Sequence, residues 1–559
     1  YLRGMREREL QWLTGFALLA YLPGLWVDVM DVDAAQYASI SLEMTQTHSY
    51  LEVLHRGENY LDKPPLLFWL SAWLFEIFGP SNLVYKLPSF LVSLLGIWSL
   101  FKLATRMYDR VTGLRAALIL STSLAWYQFN NDVRTDTLLA GFVLFAVWQL
   151  YAFAEDRKPQ QWLLGFTGIA LAMMSKGPIG LIVPVLALGT HWLLRKEWKK
   201  IFNPAWLAAP LFIVLLLLPM FMGLYRQYGW EGPYFFLWKQ SFGRITGENI
   251  WANDAGYFFF THTYLWAFAP WSLLALGALI SGIRKGWQQP KQTHWLQLAG
   301  WVLPFVALSL SRYKLPHYIF VTFPFAALSA AAWLQEMETQ QRYRKLIRWL
   351  MLVFVPVMLL LLICIPIFIF PPAGGADYLL LLYVLGFIAV AVWMYSRMRS
   401  GLDWSGSAGA LAVTALTAVV LNGAMNSYFY PQLLRYQAPA QAARDVQALQ
   451  IPLDSFRYAP QRPPNIHSFE FYTGRIQTWF HWSDIDICKP YFTLCQRNYL
   501  DSLDLHGCGY TLYKRYADFR PTVLRLPFLN QYTRAEAVDS LYLIRFGRHP
   551  KPARIEPSN

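Results

Sequence analysis

Long apolar runs alternate with short polar ones along most of the chain. The runs approach 20 residues, and a helix of about 20 residues crosses a ~30 Å hydrocarbon core. Hydropathy places roughly thirteen of them, at 9–27, 82–105, 112–129, 136–154, 161–174, 177–194, 204–224, 257–282, 294–311, 315–334, 346–371, 377–396 and 407–427. The pattern predicts a polytopic α-helical membrane protein with about 13 transmembrane helices. A large soluble all-helical protein has no need of so many apolar runs of membrane length.

The polar stretches between the runs assign sides. With MRERE taken as cytoplasmic, every second loop should be basic. Those loops read TRMYDRVTGLR, EDRKP, RKEWKK, IRKGWQQPK, QQRYRKLIR and YSRMRS, and all carry Lys or Arg. The opposite face receives the 28–81 loop, NNDVRTD, MMSKGP, the 225–256 loop, LSRYKLPHY and everything after about residue 428. It is poor in charge, yet it holds Lys63, Arg134, Lys176, Arg244, Arg312 and Lys314. Any one of these is explained by snorkelling or loop solvation. Together, from five loops on one face, they point to an anionic ligand.

Two shorter apolar segments in the first outer loop lack the length to span. In AAQYASISLEMTQT, residues Tyr37, Ile40 and Met44 fall at helical spacing, with Asp33 placed as N-cap. This predicts a helix lying along the membrane surface. In YLDKPPLLFW, Pro64-Pro65 makes a corner that opens LLFWLSAWLFEIFG, a second interfacial or re-entrant helix with Pro65 in its first turn. Beyond residue 428 hydropathy drops. The pieces FEFYTGRIQTWF, YTLYKRY and SLYLIRF read as strands. The organisation is therefore a membrane domain over 1–428 and a small soluble α/β domain over 429–559.

Composition agrees. The chain of 559 residues is 55% hydrophobic and 15% charged, against about 25% charged in soluble proteins. The net charge of +14 is distributed over short loops as the membrane-orientation rule requires, which argues against a nucleic-acid partner. The first apolar run passes into a polar loop without a small-residue cleavage site, so no cleaved signal peptide is expected. Of the four cysteines, Cys364 lies in an apolar run, while Cys488, Cys495 and Cys508 fall near the C-terminus. On an extracytoplasmic face Cys488 can pair with Cys495 or with Cys508; sequence does not choose.

The acids on the outer face are Asp28, Asp31, Asp33, Asp62, Asp132, Asp136, Glu248 and Asp254. Carboxylates at this depth tend to mark a pathway or a site. Asp33 opens the surface helix and Asp136 opens the fourth span, where N-capping is the competing explanation for both. Tyr60, Tyr313, Tyr318, Trp238 and Trp251 interleave with the bases, as sugar-stacking rings or as a membrane-interface belt.

Several of these motifs resemble a known family. DVDAAQYASISLEM resembles the first-loop motif of the protein O-mannosyltransferase-like glycosyltransferases of the GT-C type. YLDKPPLLFW, MSKGPIGLIVPVL, SRYKLPHYIFVTFP and KLPS (Lys86 to Ser89) are similar to motifs of its bacterial ArnT-like branch, the aminoarabinose lipid A transferases. The resemblance covers roughly residues 8–335, and the C-terminal part is divergent. It implies an inverting enzyme that moves a sugar from a polyprenyl (undecaprenyl) monophosphate donor to an envelope acceptor. A lipid A-like glycolipid is favoured as acceptor and a protein Ser/Thr hydroxyl comes second. It implies a bacterial inner membrane location, with membrane lipids as surroundings and the site and C-terminal domain on the periplasmic face.

By the same resemblance Asp33 matches the catalytic acid and Asp136 a second acid near the cavity, while Lys63, Lys176, Arg244 and Tyr318 hold the donor phosphate. Tyr37, Tyr60, Asp62, Arg134 and Lys314 complete the candidate substrate-binding set. No cofactor is required, although a divalent metal is associated with this branch, for which Asp62 and His262 are the candidate ligands. Two departures stand out: Ala34 occupies a position where many relatives carry an acid, and RITGENIWAND differs from the enterobacterial form. A lipid or sugar transporter or flippase is the competing class. It predicts polar span centres and related halves, whereas here the charges gather in the outer loops.

Overall fold

The computed structural model of the chain describes residues 5–240, 243, 253, 255–291, 294–340, 343–399, 402, 404, 406–457, 466–477, 491–505 and 509–546. Helices dominate, as they must for apolar runs that have no water to satisfy their backbone groups. Among the described residues seven helical runs are long and apolar enough to cross a membrane: Asn82–Met107, Thr135–Asp156, Trp198–Tyr228, Pro316–Thr339, Arg344–Ile369, Gly375–Arg399 and Ser407–Tyr436. Leu66–Phe78, Ile179–Leu194 and Trp295–Ser309 are shorter apolar helices.

Two predicted runs are not single helices. The 9–27 run is a helix at Glu7–Leu19 followed by a 3-10 turn at Leu22–Leu25, with Pro23 at its start. The 257–282 run splits into Phe259–Ala267 and Ser272–Gln288, bent by 120°. Pro270 lies in the break, where its ring denies the helix a backbone donor. Hydropathy averages over such interruptions and does not see them.

Thr135–Asp156, Pro316–Thr339 and Ser407–Tyr436 are the most enclosed of these spans, whereas Arg344–Ile369 and Gly375–Arg399 turn most of their apolar surface outward. Gly141 brings the central helix against Asn82–Met107 so closely that a Cβ there would lie 2.6 Å from the Val92 carbonyl oxygen. Small residues at such crossings let backbones approach in a medium that supplies no hydrophobic drive between helices.

The first outer loop folds largely as its pattern predicts. Asp33–Thr47 is a helix and buries Tyr37, Ile40 and Met44. Asp33 is not its cap. Val32 holds that position without a side-chain cap bond, because the Asp33 carboxylate is engaged elsewhere. Pro65 is the N-cap of Leu66–Phe78. The two helices pack together, Tyr37 against Phe68 with ring centroids 5.7 Å apart. Trp73, Ile77 and Phe78 on the second helix remain exposed.

The last long helical run passes residue 428 and continues to Tyr436, so the change of architecture falls beyond the boundary expected from hydropathy. After it come the helix Ala438–Ala448 and a three-stranded antiparallel sheet. Asp539–Phe546 is the central strand of that sheet, with Tyr491–Gln496 on one side and Tyr510–Asp518 on the other. The strands predicted from YTLYKRY and SLYLIRF are present. In FEFYTGRIQTWF, residues 469–473 belong to the helix His467–Thr473, which buries Phe469, Glu470 and Phe471, and residues 474–477 form no strand. Cys495 is buried in its strand; Cys488 and Cys508 lie outside the described residues.

Candidate active site

The site is assembled where four chain segments end on one face. Arg134, in extended conformation just before Thr135–Asp156, uses two edges of its guanidinium. Nη1 donates to Asp33 Oδ2 at 2.5 Å and Nε donates to Asp132 Oδ2 at 2.7 Å. A planar fork suits two carboxylates held at fixed angles. Burial pushes the Asp132 carboxyl up, and the Arg134 charge and hydrogen bond pull against that. For Arg134 itself burial opposes the charge, but Asp132 and Asp33 outweigh it and raise the group above its ordinary value.

A second pair lies next to it. Lys176 ends the helix Pro159–Lys176 and Asp136 stands in the first turn of Thr135–Asp156, so each charge complements the dipole of its own helix. Lys176 Nζ donates to Asp136 Oδ1, and the ammonium lies 4.5 Å from the centre of the Tyr318 ring. Asp136 therefore acts as a counter-ion for Lys176 rather than as a cap; Arg134 holds the cap position. Gly177, with φ of 88°, turns the chain out of the helix, a conformation that favours glycine.

His317 joins the two pairs. Its Nδ1 lies 3.3 Å from Arg134 Nη1 and its Nε2 lies 4.0 Å from Asp136 Oδ2. Asp33, Arg134, His317, Asp136, Lys176 and Tyr318 thus form one continuous polar chain. Sequence reasoning missed His317 and gave Asp132 no role; the only signal for His317 was its place inside YKLPHY, beside Tyr318.

The Asp62–Lys63 pair forms the third part, with Lys63 Nζ donating to Asp62 Oδ2 at 2.5 Å. Gln240 donates to the Asp62 carbonyl and so fastens the Pro64-Pro65 corner. Tyr60 and Tyr37 lie between this pair and Asp33. Burial, then the charges of Asp33 and neighbouring groups, raises the Tyr37 hydroxyl, and burial followed by Asp62 and Asp33 raises Tyr60. Among the described residues nothing hydrogen-bonds the buried Tyr60 hydroxyl.

The remaining predicted residues go elsewhere. Lys314 is buried, donates from Nζ to the Ala255 carbonyl at 2.9 Å and faces the Tyr257 ring at 5.6 Å. Its backbone is bracketed by Asn253. These contacts tie two outer loops together and do not join it to the three acid–base pairs. Arg312 is exposed, and Arg244 lies outside the described residues. Among the described residues no three His, Cys, Asp or Glu side chains gather to hold a metal. Asp62 holds Lys63, and His262 is exposed on the Phe259–Ala267 helix.

The overall arrangement matches solved structures. ArnT from Cupriavidus metallidurans superposes with a TM-score of 0.70 over 95% of this chain and 97% of that one, at 17% sequence identity, both in the apo state and bound to undecaprenyl phosphate. This is an ArnT-like GT-C fold. A family model described as dolichyl-phosphate-mannose-protein mannosyltransferase matches residues 62–222, a stretch that opens at Asp62-Lys63 and contains Arg134, Asp136 and Lys176. In sequence the chain is similar to the undecaprenyl phosphate-alpha-4-amino-4-deoxy-L-arabinose arabinosyl transferase of Pseudomonas aeruginosa (strain LESB58), 27% identical over 58% of this chain and 59% of that protein. It is also similar to the corresponding protein of Enterobacter sp. (strain 638), 26% identical over 68% of this chain and 69% of that protein. The match to the first of these spans less than two thirds of its length.

Proposed function

We propose that the chain is an inverting glycosyltransferase of a bacterial inner membrane. It would take a sugar from an undecaprenyl-type polyprenyl monophosphate and pass it to an envelope acceptor, a lipid A-like glycolipid first and a protein hydroxyl second. The observation that carries this reading is the Asp33 carboxylate, partly exposed and held by the buried Arg134 beside the Lys176–Tyr318 pair, in a fold shared with a protein solved with undecaprenyl phosphate.

The reaction needs one displacement. The acceptor oxygen attacks the anomeric carbon from the side opposite the phosphate. The carbon–oxygen bond to phosphate breaks with its electron pair and polyprenyl phosphate leaves, inverting the centre. A hydroxyl acceptor gives its proton to Asp33; a phosphate acceptor is already ionised, and Asp33 then serves to orient it. A positioned base of this kind contributes about 10²–10⁴-fold.

Lys63 and Lys176 suit the leaving phosphate. An ammonium has three donors, so each can keep its carboxylate and still meet a phosphate oxygen, and their charge is most useful as charge develops on that oxygen. An apolar cavity of about 490 Å³, lined by Met173, Trp192, Trp206 and Leu237 among others, begins one helical turn from Lys176 and suits a prenyl tail. The basic loops on the opposite face support about thirteen crossings with the site and C-terminal segment periplasmic.

The test is transfer by the purified chain from undecaprenyl phosphate–4-amino-4-deoxy-L-arabinose to lipid A. Asp33→Asn should remove at least about 10²-fold of the rate while undecaprenyl phosphate still binds. Full activity in that variant rules Asp33 out of the chemistry. Mass spectrometry of envelope lipids and proteins with and without the gene identifies the sugar and acceptor together.

A further inference from the structure

The segment after the membrane domain makes buried polar bonds to the Asp33 helix at two places, one on either side of Asp33. Upstream, Asp31 Oδ2 accepts from Ser468 Oγ at 2.9 Å, and the Asp31 amide donates to Gln437 Oε1 at 2.9 Å. Gln437 Nε2 donates in turn to the Val29 carbonyl at 2.9 Å, and the Val29 amide donates to the Tyr472 hydroxyl at 2.8 Å. The whole 29–31 entry to the helix is thus held by residues 437–472.

Downstream, Glu470 is fully buried and accepts from Ser39 Oγ at 2.6 Å. The same carboxylate accepts from Arg56 Nε at 2.9 Å, at the turn of the short hairpin Leu54–His55/Glu58–Asn59. Glu43, on the same helix as Asp33 and Ser39, accepts from the backbone amides of Arg56 and Gly57, each at 2.6 Å. His467 Nδ1 lies 3.1 Å from Arg56 Nη2. A charged group buried this completely persists only when such partners satisfy it.

The charge of Asp33 reaches His467, but the hydrogen bonds above are made to the helix that carries Asp33 and to its entry. These residues touch the backbone and side chains that set where Asp33 begins its helix. Arg134 grips the tip of the Asp33 carboxylate, but the place of its Cα is decided by the helix entry and by the next two turns.

We propose that Glu470 is a positioning residue for the transfer reaction. Through Ser39 and Arg56 it holds the Asp33 helix in register, and Ser468 holds the entry to the same helix through Asp31. The inference rests on the transferase reading of Asp33 and adds to it a role for the C-terminal segment. That segment is then part of the enzyme's working geometry rather than an appendage. Displacement of a reacting group by about 1 Å can cost on the order of 10²-fold, and the loss should appear in kcat because the donor phosphate is held by other residues.

The experiment uses the full purified chain with undecaprenyl phosphate–4-amino-4-deoxy-L-arabinose as donor and lipid A as acceptor. Glu470→Gln should lower kcat about 10- to 100-fold with the donor KM within about twofold, and should speed amide hydrogen exchange across residues 33–40. Ser39→Ala, which removes only a hydroxyl and keeps the buried Arg56–Glu470 pair, should move both readouts in the same direction by less. In the Asp33→Asn background Glu470→Gln should have little further effect on the residual rate, since the group it positions is gone. Unchanged kcat in folded Glu470→Gln overturns the proposal. So does unchanged exchange at 33–40, or an equal fold-loss with and without Asp33. A wild-type chain that transfers no sugar overturns the transferase reading itself, and is recognised in the wild-type arm alone.

Discussion

Replacing Arg134 with Ala should separate stability from rate, because its two carboxylate partners live in different surroundings. The Arg134 and Asp132 side chains are 12% and 7% exposed, while Asp33 is 37% exposed. The Asp33 leg is therefore screened and contributes at most about 1 kcal/mol to stability. The Asp132 leg is buried, and removing one partner of a buried pair costs about 3–5 kcal/mol, since the other charge is left without compensation. Asp132 has little else to fall back on: its Oδ1 is buried without a hydrogen-bond partner among the described residues, and burial already pushes its carboxyl up.

Arg134→Ala should thus destabilise the fold by about 3 kcal/mol or more and free the Asp33 carboxylate, lowering transfer about 10- to 100-fold. Adding Asp132→Asn should restore most of the stability, because an amide needs no counter-charge, and almost none of the rate. Denaturant unfolding in detergent gives the first quantity and the transfer assay the second. The reasoning is refuted if the double variant is as unstable as Arg134→Ala alone, or if Arg134→Ala matches the wild type in both measurements.

Lys63→Ala should weaken undecaprenyl phosphate binding about 10- to 100-fold, the worth of one charge-assisted hydrogen bond of about 1.5–3 kcal/mol; equal affinity by a lipid-binding titration rejects its phosphate role. Transfer by enzyme dialysed against EDTA should equal that of untreated enzyme, and a loss restored by a divalent cation refutes this. Acid should loosen the interface between the C-terminal segment and the hairpin. Burial, then His467 and Arg56, holds His55 down at about 3, against about 6.5 in an unfolded chain. The unfolded state therefore takes a proton that the folded state refuses, and this stability is lost progressively as pH falls from about 6.5 towards 3. The loss is about 2 kcal/mol at pH 5. His467 is lowered too, first by burial, and adds in the same direction. Glu470, raised by burial but brought down to about 2 by His467 and Arg56, contributes only below about pH 4.5. Unfolding measured at pH 7 and pH 5 should show a smaller difference in His55→Gln than in wild type; an identical difference contradicts the assignment.

Individual residues mark where sequence reading stopped. Lys63 and Lys176 were legible because a base on the outer face defies the orientation rule and demands a reason, and both lie against carboxylates of the site. Lys314 satisfied the same rule and yet holds a loop carbonyl, since an ammonium is content with any good acceptor nearby. Arg134 looked like one more base for an anionic ligand. Its partners are two acids, one of them 101 residues away in sequence, and no local pattern encodes that pairing. Glu470 sat in a stretch that alternates like a strand, but its first residues complete the short helix His467–Thr473; periodicity does not discriminate over so few residues.

By itself the sequence determined the helical membrane architecture and the helix that begins at Asp33. These follow from local rules: in hydrocarbon every backbone group must be satisfied within its own segment, so apolar length and flanking charge suffice. Only the tertiary structure decided which acid meets which base, that His317 links two of the pairs, and that residues 437–472 grip the helix carrying Asp33. Those contacts are side-chain meetings between distant segments, set by how the helices pack and not by any property of the segments alone.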